Sequence, residues 1–299
     1  LVWKYKPAHM FGVPTHYQQL AADPAAEKTK TSPSSANYAA GGDSLSLGAE
    51  QTVNRFLKAH GVEYPLAKGY GMTEVSSAAT IAAGNVTKPG SVGIPMVNTV
   101  VSIFEPGTET ELPIGQRGEI CICTPTVMKG YYNKPEETDM ILRRHADGQI
   151  WAHTGDVGYM DEDGRIRING RRKEIIIRGG ENISAAEVDE AVTGCPGIGS
   201  HATIGMPDPR LGERICLFAV ASGEARPSVT DVADFLKGRT CKKRLWPERI
   251  EYVDRIPMTE SGKVKRNWLS DILAERLLSN ERALRDSSLA STQPERDER

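Results

Sequence analysis

Four short segments of this chain join a tight, glycine-bearing backbone to a charged or hydroxyl side chain: Gly69-Tyr-Gly-Met-Thr-Glu74, Thr154-Gly-Asp156, Gly170-Arg-Arg-Lys-Glu174 with Gly179-Gly180 beyond it, and Pro257-Met-Thr-Glu-Ser-Gly-Lys-Val-Lys-Arg266. Glycine lets a ligand approach the main chain closely. A carboxylate such as Glu74 or Asp156 accepts from hydroxyl groups or holds a hard cation. Lys263 is a compact charge on a glycine-flanked loop that can be delivered and withdrawn. Such parts suit chemistry at phosphate, where negative charge builds on oxygen and fixed donors lower the barrier. Taken singly, each segment has a structural reading of equal weight: a strand end with a helix cap, a hairpin turn, a turn between strand and helix, or a loop tip with a solvated lysine. Tyr70 reads either as a ring against a ligand or as a buried core tyrosine.

The order of these segments carries more information than any one of them. Together with Gly118-Glu-Ile-Cys-Ile-Cys123 and Lys129-Gly-Tyr-Tyr-Asn-Lys-Pro-Glu-Glu-Thr138, they resemble the later core motifs of the adenylate-forming (AMP-binding) superfamily, in its acyl-CoA synthetase branch. The resemblance runs from about residue 1 to residue 270. It implies an α/β fold: the later part of a large domain, mixed α/β with an antiparallel barrel-like part, followed by a small α+β C-terminal domain. The implied function is an AMP-forming acid–thiol ligase of fatty acid metabolism, using ATP, Mg²⁺ and coenzyme A. A carboxylate attacks the α-phosphorus of ATP and expels pyrophosphate, and a thiol then displaces AMP. Other readings are a stand-alone adenylation domain of peptide-synthetase type and a non-catalytic nucleotide-binding module.

The same resemblance assigns roles residue by residue. Lys263 bridges the carboxylate and the α-phosphate, Glu74 holds Mg²⁺, and Thr73 contacts phosphate. Tyr70, Gly71 and Met72 border the nucleotide, as does Gly42 in Gly41-Gly42-Asp43. Asp156 accepts from the ribose hydroxyls and Arg171 contacts the same nucleotide. Lys173 is the hinge about which the C-terminal domain turns, and Gly179 and Gly180 line the pantetheine path. The glycine-rich Ser/Thr-Gly-x-Thr-Gly-x-Pro-Lys loop of these enzymes does not occur among the 299 residues. The chain therefore reads as a fragment, and residues 1–299 alone are expected to form little acyl-adenylate. Its carboxylic acid substrate, medium-chain or aromatic, is left open.

The elements that must position these residues fall into three stretches. Residues 1–89 are mixed, with Val53–His60 at helical spacing. From Gly90 to Asn169, short strands alternate with glycine: Thr99–Phe104, Gly118–Cys123 and Arg165–Asn169. There Cys121 and Cys123 share a strand face as small buried side chains. Domain boundaries follow at residues 1–171 and 172–270, with 90–169 as the barrel-like part. In the second domain, Ser184 and Glu187 read as a capping box for the helix Ala185–Val192. Strands His201–Gly205, Ile215–Ala221 and Arg249–Val253 and a helix Val229–Lys237 complete it, with Lys265 and Arg266 on the solvated side of a further helix. Residues 279–299 are polar and predicted disordered.

Composition narrows the partners. With 37 basic and 39 acidic residues the net charge is −2, so no strong field favours nucleic acid or an anionic membrane. Five scattered cysteines and six histidines show no zinc spacing or disulfide framework, and His153 reads as a partly exposed loop histidine near the nucleotide. The expected setting is cytoplasmic and the expected partners are small molecules.

Overall fold

The computed structural model describes residues 5, 7–27, 37–259 and 263–290. Two compact units are present, Leu1–Lys173 and Glu174–Arg299; the boundary read from sequence falls slightly earlier, after Arg171. None of the described helices is long and apolar enough to cross a membrane.

The first unit contains two sheets. In one, β1 (His9–Gly12), β2 (Asn37–Ala40), β3 (Ala67–Met72), β4 (Ser77–Ala82) and β5 (Ile94–Pro95) follow chain order. The pairs β1–β2 and β2–β3 are parallel, and β3–β4 and β4–β5 are antiparallel. A parallel pair needs a crossover, which between β2 and β3 is the helix Leu47–Ala59. That helix begins well before Val53 because Ser46 caps it, its Oγ accepting from Ala49 N–H at 3.2 Å. Val53 and Leu57 pack its inner face against Tyr17, Tyr38 and Leu66.

The other sheet is wholly antiparallel: β6 (Val100–Phe104), β7 (Gly118–Cys123), β8 (Leu142–Arg144), β9 (Ile150–Met160) and β10 (Ile166–Arg171). Its order is β10-β9-β7-β6, with β8 also on β9. The antiparallel expectation holds, but no barrel closes among the described residues. Closure would pair β10 with β6, whereas Ile166 of β10 exchanges hydrogen bonds with Val92 and Gly93, at 2.9 and 2.8 Å, on the way into β5.

The second unit is one sheet of β11 (Ile175–Arg178), β12 (Glu181–Ser184), β13 (Ile198–Asp208), β14 (Gly212–Ala221) and β15 (Arg249–Tyr252), ordered β12-β11-β14-β13 with β15 parallel to β14. Alternation along β14 sends Ile215, Leu217 and Ala219 towards the helices Ala185–Val192 and Val229–Gly238, and Cys216 and Phe218 towards the helix Arg266–Ala290. Three features of this unit differ from the sequence expectation. Ser184 does not form a capping box: it is held in β12 opposite Ile175, and its buried Oγ has no hydrogen-bond partner among the described residues. Arg266 is not solvated: it bridges Asp189 at 2.7 Å and Glu174 at 3.1 Å, because the start of its helix lies on β13, where its Nε also donates to Thr203 O at 3.2 Å. The last helix continues through Ala290, a stretch rich in the strong helix formers Ala, Leu, Glu and Arg, where disorder was expected from residue 279. The remainder of that expectation, 291–299, lies outside the described residues.

Candidate active site

Asp156 projects from an irregularity in β9. Opposite β7, Glu119 pairs with Val157 and Cys121 with His153, so Thr154, Gly155 and Asp156 together face Ile120. Extra residues of this kind bulge the strand and re-aim its side chains. Gly155 takes φ +70°, a region glycine enters without strain. Thr154 ties the bulge down from both sides: its Oγ1 donates to Ile120 O at 2.7 Å and accepts from Asp156 N–H at 3.0 Å.

The Asp156 carboxylate is nearly buried, and each oxygen has a donor. Tyr70 Oη–H donates to Oδ2 at 2.8 Å, and Arg171 Nε lies 3.2 Å from Oδ1. Arg171 comes from the neighbouring strand, in register with Asp156, and its guanidinium remains mostly exposed. Burial first, and then the Asp156 charge, raises the Tyr70 phenol well above its usual range, so it stays a proton donor at neutral pH. The Tyr70 ring is buried and packs with Val75, Val101 and Ile120.

Tyr70 also carries β3 into the segment holding the other acid. Glu74 lies in the 3-10 turn Thr73–Val75, four residues on, a reach of at most about 13 Å in extended chain. The turn is tight. A Cβ at Gly71 would collide with the Ser77 carbonyl, so the close approach that demands this glycine is its own hairpin. Ser76 and Ser77 adopt φ +63° and +111°, a strained geometry that must be held by its surroundings. Those surroundings include the loop before Pro135: Met128 N–H donates to Glu74 O at 2.7 Å, and Ser76 Oγ–H to Thr126 O at 2.7 Å. Tyr131 Oη–H donates to Glu74 Oε1 at 2.5 Å. That bond, ahead of burial, pushes the Tyr131 phenol up to about 12. Thr73 is exposed and Met72 packs on the apolar cluster beneath Tyr70.

Gly42 sits at φ +83° between β2 and the Leu47–Ala59 helix, and Asp43 Oδ1 closes the same turn on Ser44 N–H at 2.7 Å. Lys173 is exposed and is the last residue of the first unit. The second unit holds the remaining candidates. Gly179 and Gly180, at φ +57° and +84°, are the two-residue turn between β11 and β12; two positive φ values suit a tight hairpin, so the turn joins two strands and not a strand and a helix. Lys263 is exposed, its backbone exchanging bonds with Thr259: N–H to Oγ1 at 3.0 Å and Thr259 N–H to Lys263 O at 2.7 Å. Its neighbours 260–262, including Ser261 and Gly262 of the motif, lie outside the described residues.

Two residues that sequence reasoning quoted without a role thus support the site, Thr154 beneath Asp156 and Tyr131 on Glu74. Their motifs were visible; their partners, more than 30 and more than 50 positions away, were not.

Family models match in two places: the AMP-binding enzyme model over residues 1–132 and the AMP-binding enzyme C-terminal domain over residues 187–263. A feruloyl-CoA synthase of an Amycolatopsis species is 37% identical over 257 residues, covering 85% of this chain and 50% of that protein. A long-chain-fatty-acid–CoA ligase of Bacillus subtilis (strain 168) is 35% identical over 271 residues, covering 90% and 46%. Among solved structures, ATP-bound MatB from Rhodopseudomonas palustris superposes with a TM-score of 0.75 at 29% identity, covering 88% of this chain and 50% of that one. The o-succinylbenzoate CoA synthetase MenE of Bacillus subtilis, bound to an acyl-adenylate intermediate, gives 0.75 at 27% identity, covering 90% and 52%. The chain spans about half the length of these proteins. With both family models matched in order and the fold shared, this chain belongs to the AMP-binding, adenylate-forming enzyme family.

Proposed function

We propose that the chain serves an ATP-dependent acyl-CoA ligase. A carboxylate oxygen attacks the α-phosphorus of ATP, the bond to the β-phosphate oxygen breaks and pyrophosphate leaves. The thiol of coenzyme A then attacks the acyl carbon and AMP departs with the bonding pair, the thiol proton going to solvent. The observation that carries this reading is Asp156: a nearly buried carboxylate, aimed by a bulge and flanked by Arg171, which suits two vicinal hydroxyls of a ribose.

In this reading Arg171 contacts the same nucleotide, Thr73 a phosphate, and Gly42, Gly71 and Met72 shape the adenine side, while Tyr70 acts from behind by holding Asp156. Glu74 fits Mg²⁺. Tyr131 fixes one of its oxygens, and the other accepts nothing from the described residues; one carboxylate oxygen plus phosphate oxygens is the ligand set this ion favours. Bound there, Mg²⁺ would neutralise phosphate charge. Lys263 places its ammonium between carboxylate and α-phosphate, Lys173 is the hinge, and Gly179 and Gly180 border the thiol's approach.

Calorimetry with AMP tests the assignment. Asp156→Ala is expected to weaken AMP at least tenfold, and 2′,3′-dideoxy-AMP to bind wild type about as weakly as AMP binds the variant. Unchanged AMP affinity in Asp156→Ala overturns the reading.

A further inference from the structure

The β9 bulge leaves one main-chain donor whose acceptor comes from another strand. Gly155 N–H donates to Glu119 Oε1 at 3.0 Å, and Glu119 stands on β7 next to Ile120, the residue that the bulge spans. The other oxygen, Oε2, lies 3.2 Å from His153 Nδ1, and His153 Nε2 lies 2.9 Å from His145 Nε2. Glu119, His153 and His145 are 4%, 2% and 6% exposed, so His153 is not the partly exposed loop residue the sequence implied.

Burial alone would raise the Glu119 pKa. His153 foremost, with the amides of Gly155 and Gly107, outweighs it and holds the carboxyl below its usual range. An ionised carboxylate only accepts, so His153 Nδ1 carries the proton. This bond fixes the carboxylate plane, and His145 fixes the imidazole in turn. Cys121 Sγ is 3.4 Å from the same Nδ1, and Glu119, Cys121 and His153 have the donor types of a metal site. The proton that Glu119 requires, however, occupies the lone pair a metal would need, and burial keeps the Cys121 thiol protonated.

We infer that Glu119 is a positioning residue for the nucleotide site: its carboxylate anchors Gly155 N–H and so holds the turn that aims Asp156. The inference rests on the assignment of Asp156 to the nucleotide. Without that acceptor a part-buried amide would lose its partner, at a cost the turn lowers by moving. Asp156 is the next residue.

AMP calorimetry on the chain with three variants tests it. Glu119→Asp keeps the charge but is one methylene too short to reach Gly155 and His153 together. Glu119→Gln keeps the reach: its amide oxygen accepts from Gly155, and its NH₂ donates to Nδ1 once His153 and His145 change tautomer. Glu119→Asp is expected to weaken AMP about tenfold, roughly one lost hydrogen bond, and Glu119→Gln to recover affinity to within about threefold of wild type. Wild-type affinity in Glu119→Asp, or equal losses in both, overturns the inference while Asp156→Ala still weakens binding. If Asp156→Ala leaves AMP binding intact, the nucleotide assignment falls and the inference with it. Should Glu119→Asp not fold, hydrogen exchange at the Gly155 amide by NMR decides: protection in wild type and Glu119→Gln supports the anchor, and exchange as fast as an open loop in wild type refutes it.

Discussion

Tyr70 and Arg171 share Asp156 unequally. The Arg171 guanidinium is 62% exposed, and an ion pair in that much water is worth about 0–1 kcal/mol. The phenol is buried and donates to a charged acceptor, a bond worth roughly 1.5–3 kcal/mol. Tyr70→Phe is therefore expected to lower stability by about 1–2 kcal/mol in thermal denaturation, whereas removing Arg171 changes it little; an unaltered melting temperature in Tyr70→Phe would show that the phenol does not hold the acid. The Tyr-Gly-Met-Thr-Glu motif was legible as a motif, but the division of labour within it was not. Sequence cannot tell a tyrosine that faces a ligand from one that supports the residue facing it. Nor can it say that Gly71 is demanded by Ser77, since that collision exists only once β3 and β4 pair across a register shift.

Among the elements, strands with clean alternation were the most readable. Gly118–Cys123 agrees at both ends, and the helix read as Val229–Lys237 ends one residue later. What the sequence leaves unread are contacts between residues far apart along the chain. Glu50, on the face of the Leu47–Ala59 helix that meets the sheet, is 1% exposed, and its Oε1 lies 2.6 Å from Lys68 Nζ on β3. Burial foremost lowers the Lys68 pKa, with Glu50 opposing. Glu50 Oε2 also accepts from Gly90 N–H at 3.0 Å, so one side chain joins a helix, a strand and the loop before β5. Nothing in the local pattern distinguishes these charges from solvated ones. Removing one partner of such a pair leaves the other charged and unpaired, typically costing about 3–5 kcal/mol. Lys68→Met should destabilise by that order in urea unfolding. The double variant Lys68→Met/Glu50→Gln, which removes the second charge and keeps an acceptor for Gly90, should regain most of the loss. A double variant no more stable than Lys68→Met would show that packing, and not the stranded carboxylate, sets the cost.

Across the whole molecule the apolar clusters respect the division at Lys173. Those built on Tyr17, Ile120 and Trp151 lie within the first unit, and those built on Leu217 and Phe218 within the second. Units with separate cores unfold as separate cooperative steps, so calorimetry should resolve two transitions. Lys68→Met marks the first. Ser228 marks the second, through the capping box at the Val229–Gly238 helix: Ser228 Oγ accepts from Asp231 N–H at 3.2 Å, and Asp231 Oδ2 accepts from Ser228 N–H at 2.8 Å and from its hydroxyl at 2.7 Å. The hydroxyl first, then the amide, lowers the Asp231 pKa. A carboxylate depressed in the folded state adds stability that is fully present above its unfolded pKa, near 3.9, and is lost as pH falls through the folded value. Ser228→Ala should therefore lower one transition at neutral pH, leave the other in place, and differ less from wild type as the pH drops below about 4. Should Lys68→Met and Ser228→Ala move one common transition together, the two cores would be a single cooperative body, and a hinge at Lys173 would have no mechanical basis.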